Sequence, residues 1–246
     1  MTLAIQSQNE TITAWDIIPR LARYQMFPKL IKESIIDEAI ASIECTPEET
    51  TTAIQAFCKQ NKLVTEAQRQ EWENFQGMEQ GDLAEIATRR LKIEKFKEQR
   101  WGDALKSYYL QRKAQLDKIS FSIIRVSDKD LAQELYFRIQ DKEQSFAELA
   151  KQYSQGTEAN MGGVVVPLEL GTLPGAFAQL LQNRQPGDLL PPFPMADSIV
   201  IIQINQVLPS TLDFITSKRL LNELFQTWLQ KQIKERGIAI KNLKLN

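Results

Sequence analysis

The chain of 246 residues is long enough for one large domain or two modest ones, each with a core of its own. Its 30 basic and 31 acidic side chains leave a net charge of −1, which excludes a dedicated nucleic-acid binder or a protein drawn to anionic membranes. No stretch reaches the apolar length of a membrane span, and the opening MTLAIQSQNETITAWD lacks the features of a secretory signal, so the reading places the protein in the cytoplasm.

Thr13 and Asp16 form an approximate capping box that opens a first helix, with Ile17, Ile18, Leu21 and Tyr24 on one face. A second helix follows Pro28 and sets Leu30, Ile31, Ile35, Ile36, Ala39, Ile40 and Ile43 at helical spacing, a face wide enough to need helices on two sides. Thr46-Pro47-Glu48-Glu49 combines an N-cap, a first-position proline and a capping-box acid, and starts a third helix with Ile54, Phe57 and Cys58 inward. The Glu48-Glu49 pair is read as a cap and not as acid–base machinery. Thr65 to Gln68 repeats the pattern before a helix through Trp72 and Phe75, bracketed by Gly77 and Gly81. Cys45 and Cys58 both fall on predicted helices and are read as reduced thiols.

From Asp82 to about Lys118 the composition is that of one long helix or two joined near Trp101-Gly102, and a break there is favoured. The basic residues between Arg89 and Arg100 interleave with Glu94 and Glu98 and are read as a solvated helix face. At Lys118 the period falls to two: Ile119 to Val126 is a strand. Two helices follow, from Asp128 to Gln140 and after a Ser145 cap. Gly162-Gly163 allows positive φ ahead of a short strand, Val164 to Val166, closed by Pro167. Pro174 to Gln182 is a short helix, Pro186-Gly187-Asp188 a turn, and Ser198 to Val207 a strand apolar enough to be buried on both faces. A last amphipathic helix, Leu212 to Arg236, is stopped by Gly237.

The expected fold is α+β. Residues 1–117 form a helical domain and 118–209 an α+β module with a small, mainly antiparallel sheet; the helix in 210–237 returns to complete the N-terminal bundle, and 238–246 are a tail. No metal or other cofactor is expected, since two cysteines without any histidine make no ligand set and the glycine pair lacks the spacing of a phosphate loop.

The module resembles a parvulin-type peptidyl-prolyl isomerase. The resemblance is carried by Phe146-Ala-Glu-Leu-Ala-Lys-Gln-Tyr-Ser154, Gly162-Gly163, Gly171-x-Leu173-x-x-x-Phe177, Pro186-Gly187-Asp188, Pro191-Pro192 and the strand Ile199 to Ile204. With helices before and after it, the whole chain is similar to foldases of that class, most of all to their cyanobacterial members. The resemblance implies catalytic positions at Ser122 and Val200, where the family carries histidines, and at Gln155 or Gly156, where it carries Asp or Cys. All of these are changed here, and the chain has no histidine. What remains is the apolar part of a peptide groove: Leu173, Phe177 and Leu181, with Val166 and Ile201 beneath. The resemblance thus implies unfolded or proline-containing polypeptides as partners. It leaves two functions open: weak isomerisation of X-Pro bonds, or a binding module retired from catalysis.

Overall fold

In a computed structural model, the change of period at Lys118 becomes a change of architecture. The structure describes residues 4–7, 10–79 and 82–236, so the bracket at Gly81, the stop at Gly237 and the tail 238–246 lie outside the described residues. The chain divides into two compact units, Met1–Leu105 with Ser217–Asn246, and Lys106–Thr216.

The first unit begins with an antiparallel hairpin, β1 (Ala4–Ser7) and β2 (Glu10–Thr13), which the helical reading of this region does not anticipate. Then come α1 (Ala14–Arg23), α2 (Phe27–Ile40), α3 (Pro47–Gln60), α4 (Glu66–Gln76) and α5 (Asp82–Trp101). The expected capping boxes form; at α3, Glu49 N–H donates to Thr46 Oγ1 at 3.2 Å and Thr46 N–H to Glu49 Oε2 at 2.8 Å. That cap places Cys45 in the loop before α3 and not on a helix, while Cys58 is buried in α3; both thiols are free.

The C-terminal helix, which runs from Phe214 to Arg236, completes this unit as expected. Its Phe225 and Leu229 join Ile35, Ile36, Ile40, Ile43 and Phe96 in one buried cluster. Phe96, Trp101, Phe225 and Trp228 meet there edge-on or tilted, with centroids 5.3 to 6.4 Å apart. The charges of α5 are more than a solvated face. Arg89 bridges to Glu33 and Asp37, Lys95 to Glu49, and the buried Lys97 holds Glu94 and Asn222 while lying 5.1 Å from the Phe225 ring centre. Among the described residues α1 adds none to that core: Ile18 and Tyr24, expected inside, are exposed, as is Leu30 of α2.

The second unit starts earlier than the change of period, with α6 (Leu105–Leu116). The break expected near Gly102 separates it from α5. The unit continues through β3 (Lys118–Val126), α7 (Lys129–Gln140), α8 (Phe146–Tyr153), β4 (Val164–Glu169), α9 (Gly175–Leu181), β5 (Leu189–Met195) and β6 (Ser198–Leu208). One antiparallel sheet results, in the order β4-β3-β6-β5, with β6 in the interior position its apolar run requires. β5 is absent from the sequence reading because Pro191, Pro192 and Pro194 speak against a strand. It is an edge strand with an irregular register between Leu190 and Phe193, where missing N–H donors are tolerated. β4, the other edge, likewise runs through Pro167 to Glu169.

Asp117, just before β3, ties the two ends of the sheet's connections together. Its Oδ1 accepts from Ser210 N–H at 2.7 Å, from Ser210 Oγ at 2.8 Å and from Lys113 Nζ at 2.9 Å, while Tyr109 O–H donates to the Ser210 carbonyl at 2.6 Å. Burial acts to raise the Asp117 carboxyl, but the ammonium and the serine donors outweigh it and hold the group below its ordinary value.

Candidate functional site

The regular ladder from Phe121↔Ile204 to Val126↔Ile199 sorts every side chain of β3 and β6 onto one of two faces. Ile124, Val126 and Ile201 lie in a cluster with Ala132, Leu135 and Ile139 of α7 and Phe146, Leu149 and Ala150 of α8. Phe121, Ile123, Val200, Ile202 and Ile204 lie on the opposite face, in a cluster completed by Leu181 of α9 and Leu190 of β5, with Leu173, Phe177 and Leu180 half-buried against it. The Phe177 ring meets Phe121 edge-on, centroids 5.7 Å apart at 84°.

Two glycines fix this face. A Cβ at Gly171 would lie 3.0 Å from Gln115 in α6, so glycine spares the turn that carries Leu173 a tight contact. Gly163, at φ +80°, accepts a hydrogen bond from Ile123 N–H at 2.9 Å, and a Cβ there would lie 2.6 Å from the Ile123 carbonyl.

Leu173 and Phe177 both pack, half-buried, against the Phe121 cluster, but the other positions of the inferred groove lie elsewhere. Ile201 is 0 % exposed and sits under α7 and α8, on the wrong face to underlie Phe177. Val166 is 63 % exposed; alternation from Val165, which packs against the Phe121 cluster, turns it outward. The surface beneath Phe177 is Val165, Val200 and Ile202, one position away in each case, and a one-residue shift exchanges faces. Leu181, 1 % exposed, fills the core and is no groove wall.

The three implied catalytic positions also separate. Val200 lies on the Phe177 face, opposite Arg125 in the ladder. Ser122 pairs with Gln203, points to the helix-covered face and receives a 3.0 Å hydrogen bond from Asn205 Nδ2. Gln155 is exposed; its N–H donates to the Arg125 carbonyl at 2.8 Å, and its side-chain amide donates to Ser127 Oγ at 3.3 Å. Arg125, passed over in the sequence, is the residue that joins these parts. Its N–H donates to Ser154 Oγ at 3.0 Å and its Nε to Glu158 Oε1 at 2.6 Å. The available signal was a lone charge at the parity of Phe121 and Ile123.

An antiparallel sheet with two helices sealing one face and a short apolar helix half-covering the other frames these residues. Residues 124–206 match the family model described as a PPIC-type PPIase (rotamase) domain. Among curated proteins, the chaperone SurA of Cupriavidus metallidurans is 26 % identical over 194 residues, covering 68 % of this chain and 39 % of that protein. The chain therefore spans about two fifths of the length of that relative. Among solved structures, the peptidylprolyl isomerase PrsA from Bacillus cereus has the same fold, with a TM-score of 0.51 at 19 % identity over 97 % of this chain and 93 % of that one. PrsA from Bacillus anthracis gives a TM-score of 0.44 at 22 % identity, covering 87 % and 100 %.

Proposed function

We propose that this protein is a foldase that holds proline-containing segments of unfolded polypeptides against Leu173 and Phe177 and isomerises their X-Pro bonds slowly. The observation that carries the reading is the Phe177–Phe121 pair over the apolar sheet face, with nothing within 4 Å of a side chain built at Gly175, so that the first turn of α9 stands open. Such a surface suits an apolar ring on an extended chain.

Rotation about a prolyl bond meets a barrier of about 18–20 kcal/mol from amide resonance, and no covalent step is needed to cross it. A pocket that binds the twisted amide better than the planar one lowers the barrier by that difference alone. The apolar Val200 at a family histidine position argues for slow turnover, and in the limit for a second reading: a polypeptide-binding module without catalysis. The two free thiols favour a reducing compartment, consistent with the cytoplasm.

A protease-coupled assay on a short proline peptide, run beside peptide-binding titrations, separates these readings. Phe177→Ala is expected to weaken binding of an unfolded proline-containing peptide by roughly 1–3 kcal/mol, the scale of one aromatic anchor. Unchanged affinity in the folded variant would sink the groove.

A further inference from the structure

Between Phe121 and Val126 on β3, and between Ile199 and Ile204 on β6, Arg125 is the single ionisable residue. It shares the parity of Phe121 and Ile123, so it leaves the sheet on the Phe177 face, directly across the ladder from Val200. Directly opposed side chains in an antiparallel pair stand about 5 Å apart at Cβ. The Arg125 side chain thus leaves the sheet beside the place that lost its histidine, and its guanidinium is held at Glu158.

This arginine is held, not loose. Its side chain is 32 % exposed and its Nε donates at 2.6 Å to Glu158, itself 16 % exposed, on the turn Thr157–Met161. Its own N–H and carbonyl are fixed by Ser154 and Gln155. The Nε bond leaves the two terminal nitrogens, with four of the five guanidinium donors, and among the described residues neither has a partner.

Twisting a prolyl bond destroys its resonance, so the lone pair returns to nitrogen and that atom becomes a hydrogen-bond acceptor. A fixed donor that meets the twisted amide and not the planar one stabilises the transition state selectively. No bond forms or breaks and no proton moves; the guanidinium remains charged throughout. The geometry points to Arg125 as the catalytic hydrogen-bond donor of this groove, acting on the prolyl amide of a bound client, with Glu158 as the residue that positions it. This rests on the reading of the groove as an isomerase site.

The test uses the full chain, a chromogenic proline tetrapeptide in the protease-coupled assay, and the affinity of a fluorescent unfolded proline peptide. Arg125→Gln is expected to lower kcat/KM by about tenfold or more while peptide affinity stays within about twofold, and Arg125→Lys to recover part of the loss. Glu158→Gln should lower kcat with KM unchanged, which a purely structural role would not do. Should Arg125→Gln fail to fold, the Lys and Glu158 variants carry the test. Wild-type turnover in Arg125→Gln, or equal losses of affinity and turnover, overturns the role of Arg125 and leaves the groove standing. A wild type that binds peptide through Phe177 without turnover also overturns it. A wild type that neither turns over nor responds to Phe177→Ala removes the parent reading as well.

Discussion

On one face of β3 and β6, Ile124, Val126 and Ile201 are closed off by two helices; on the other, Phe121, Ile123 and Val200 lie under one short helix and its preceding turn. The residue types barely differ, so hydrophobicity does not tell the two surfaces apart. Coverage does. The sealed face has satisfied its apolar surface within the chain, whereas the half-covered face keeps Leu173 and Phe177 partly in solvent and sets a paired arginine at its margin. The first is where stability resides, and the second is the face proposed above to bind a client.

The comparison breaks most visibly through truncation. Leu135→Ala, on the sealed face, is expected to cost about 2–5 kcal/mol in urea unfolding, with a cavity left behind. Phe177→Ala should cost clearly less, because its ring is only half-buried; equal losses would mean both faces are core. Histidine insertion asks the same question chemically. Ser122→His and Val200→His should each lose roughly 1–3 kcal/mol by crowding and burying a polar ring. Only Val200→His, beside Arg125, is expected to change turnover in the coupled assay. A gain from Ser122→His alone would reverse the assignment of faces.

The smallest effect concerns a group outside both faces. Asp117 is held below its ordinary carboxyl pKa of 3.8, so the stability it adds is present above about pH 4 and is lost as pH falls through the lower folded value. Asp117→Asn should flatten that acid limb of the melting-temperature profile without altering isomerase activity. A wild-type profile superimposable on the variant's between about pH 4 and 2 would show that the clasp contributes nothing.

Much of the fold was legible because its signals are local. Thr46 with Glu49, Thr65 with Gln68 and Ser145 with Glu148 announce helix starts within four residues, and each forms. The return of the C-terminal helix to the bundle followed from an apolar stripe too wide to leave in water. The faces of the sheet were not legible, for a definite reason. Runs such as Val164-Val165-Val166 and Ile199-Val200-Ile201-Ile202 contain no alternation, so nothing in them says which residue points where. Only the ladder partner settles that, and it placed Val165 and Val200 where Val166 and Ile201 had been expected. β5 was hidden by its prolines, which forbid a central strand but not an edge.

The Asp117–Ser210 clasp has a consequence for how the chain assembles. Lys118 faces Leu208 in the ladder, so once the sheet exists, positions separated by roughly ninety residues are neighbours. In polymer terms the sheet short-circuits a long loop, and at about 0.6 kcal/mol per doubling of loop length the shortcut lowers the entropic cost of closure by roughly 1 kcal/mol. Phe225 and Leu229, far along the sequence from Phe96, then meet it as though a short tether joined them. The sheet unit thereby acts as a splint for the helical bundle, and the bundle's discontinuity in sequence costs little once the splint is set.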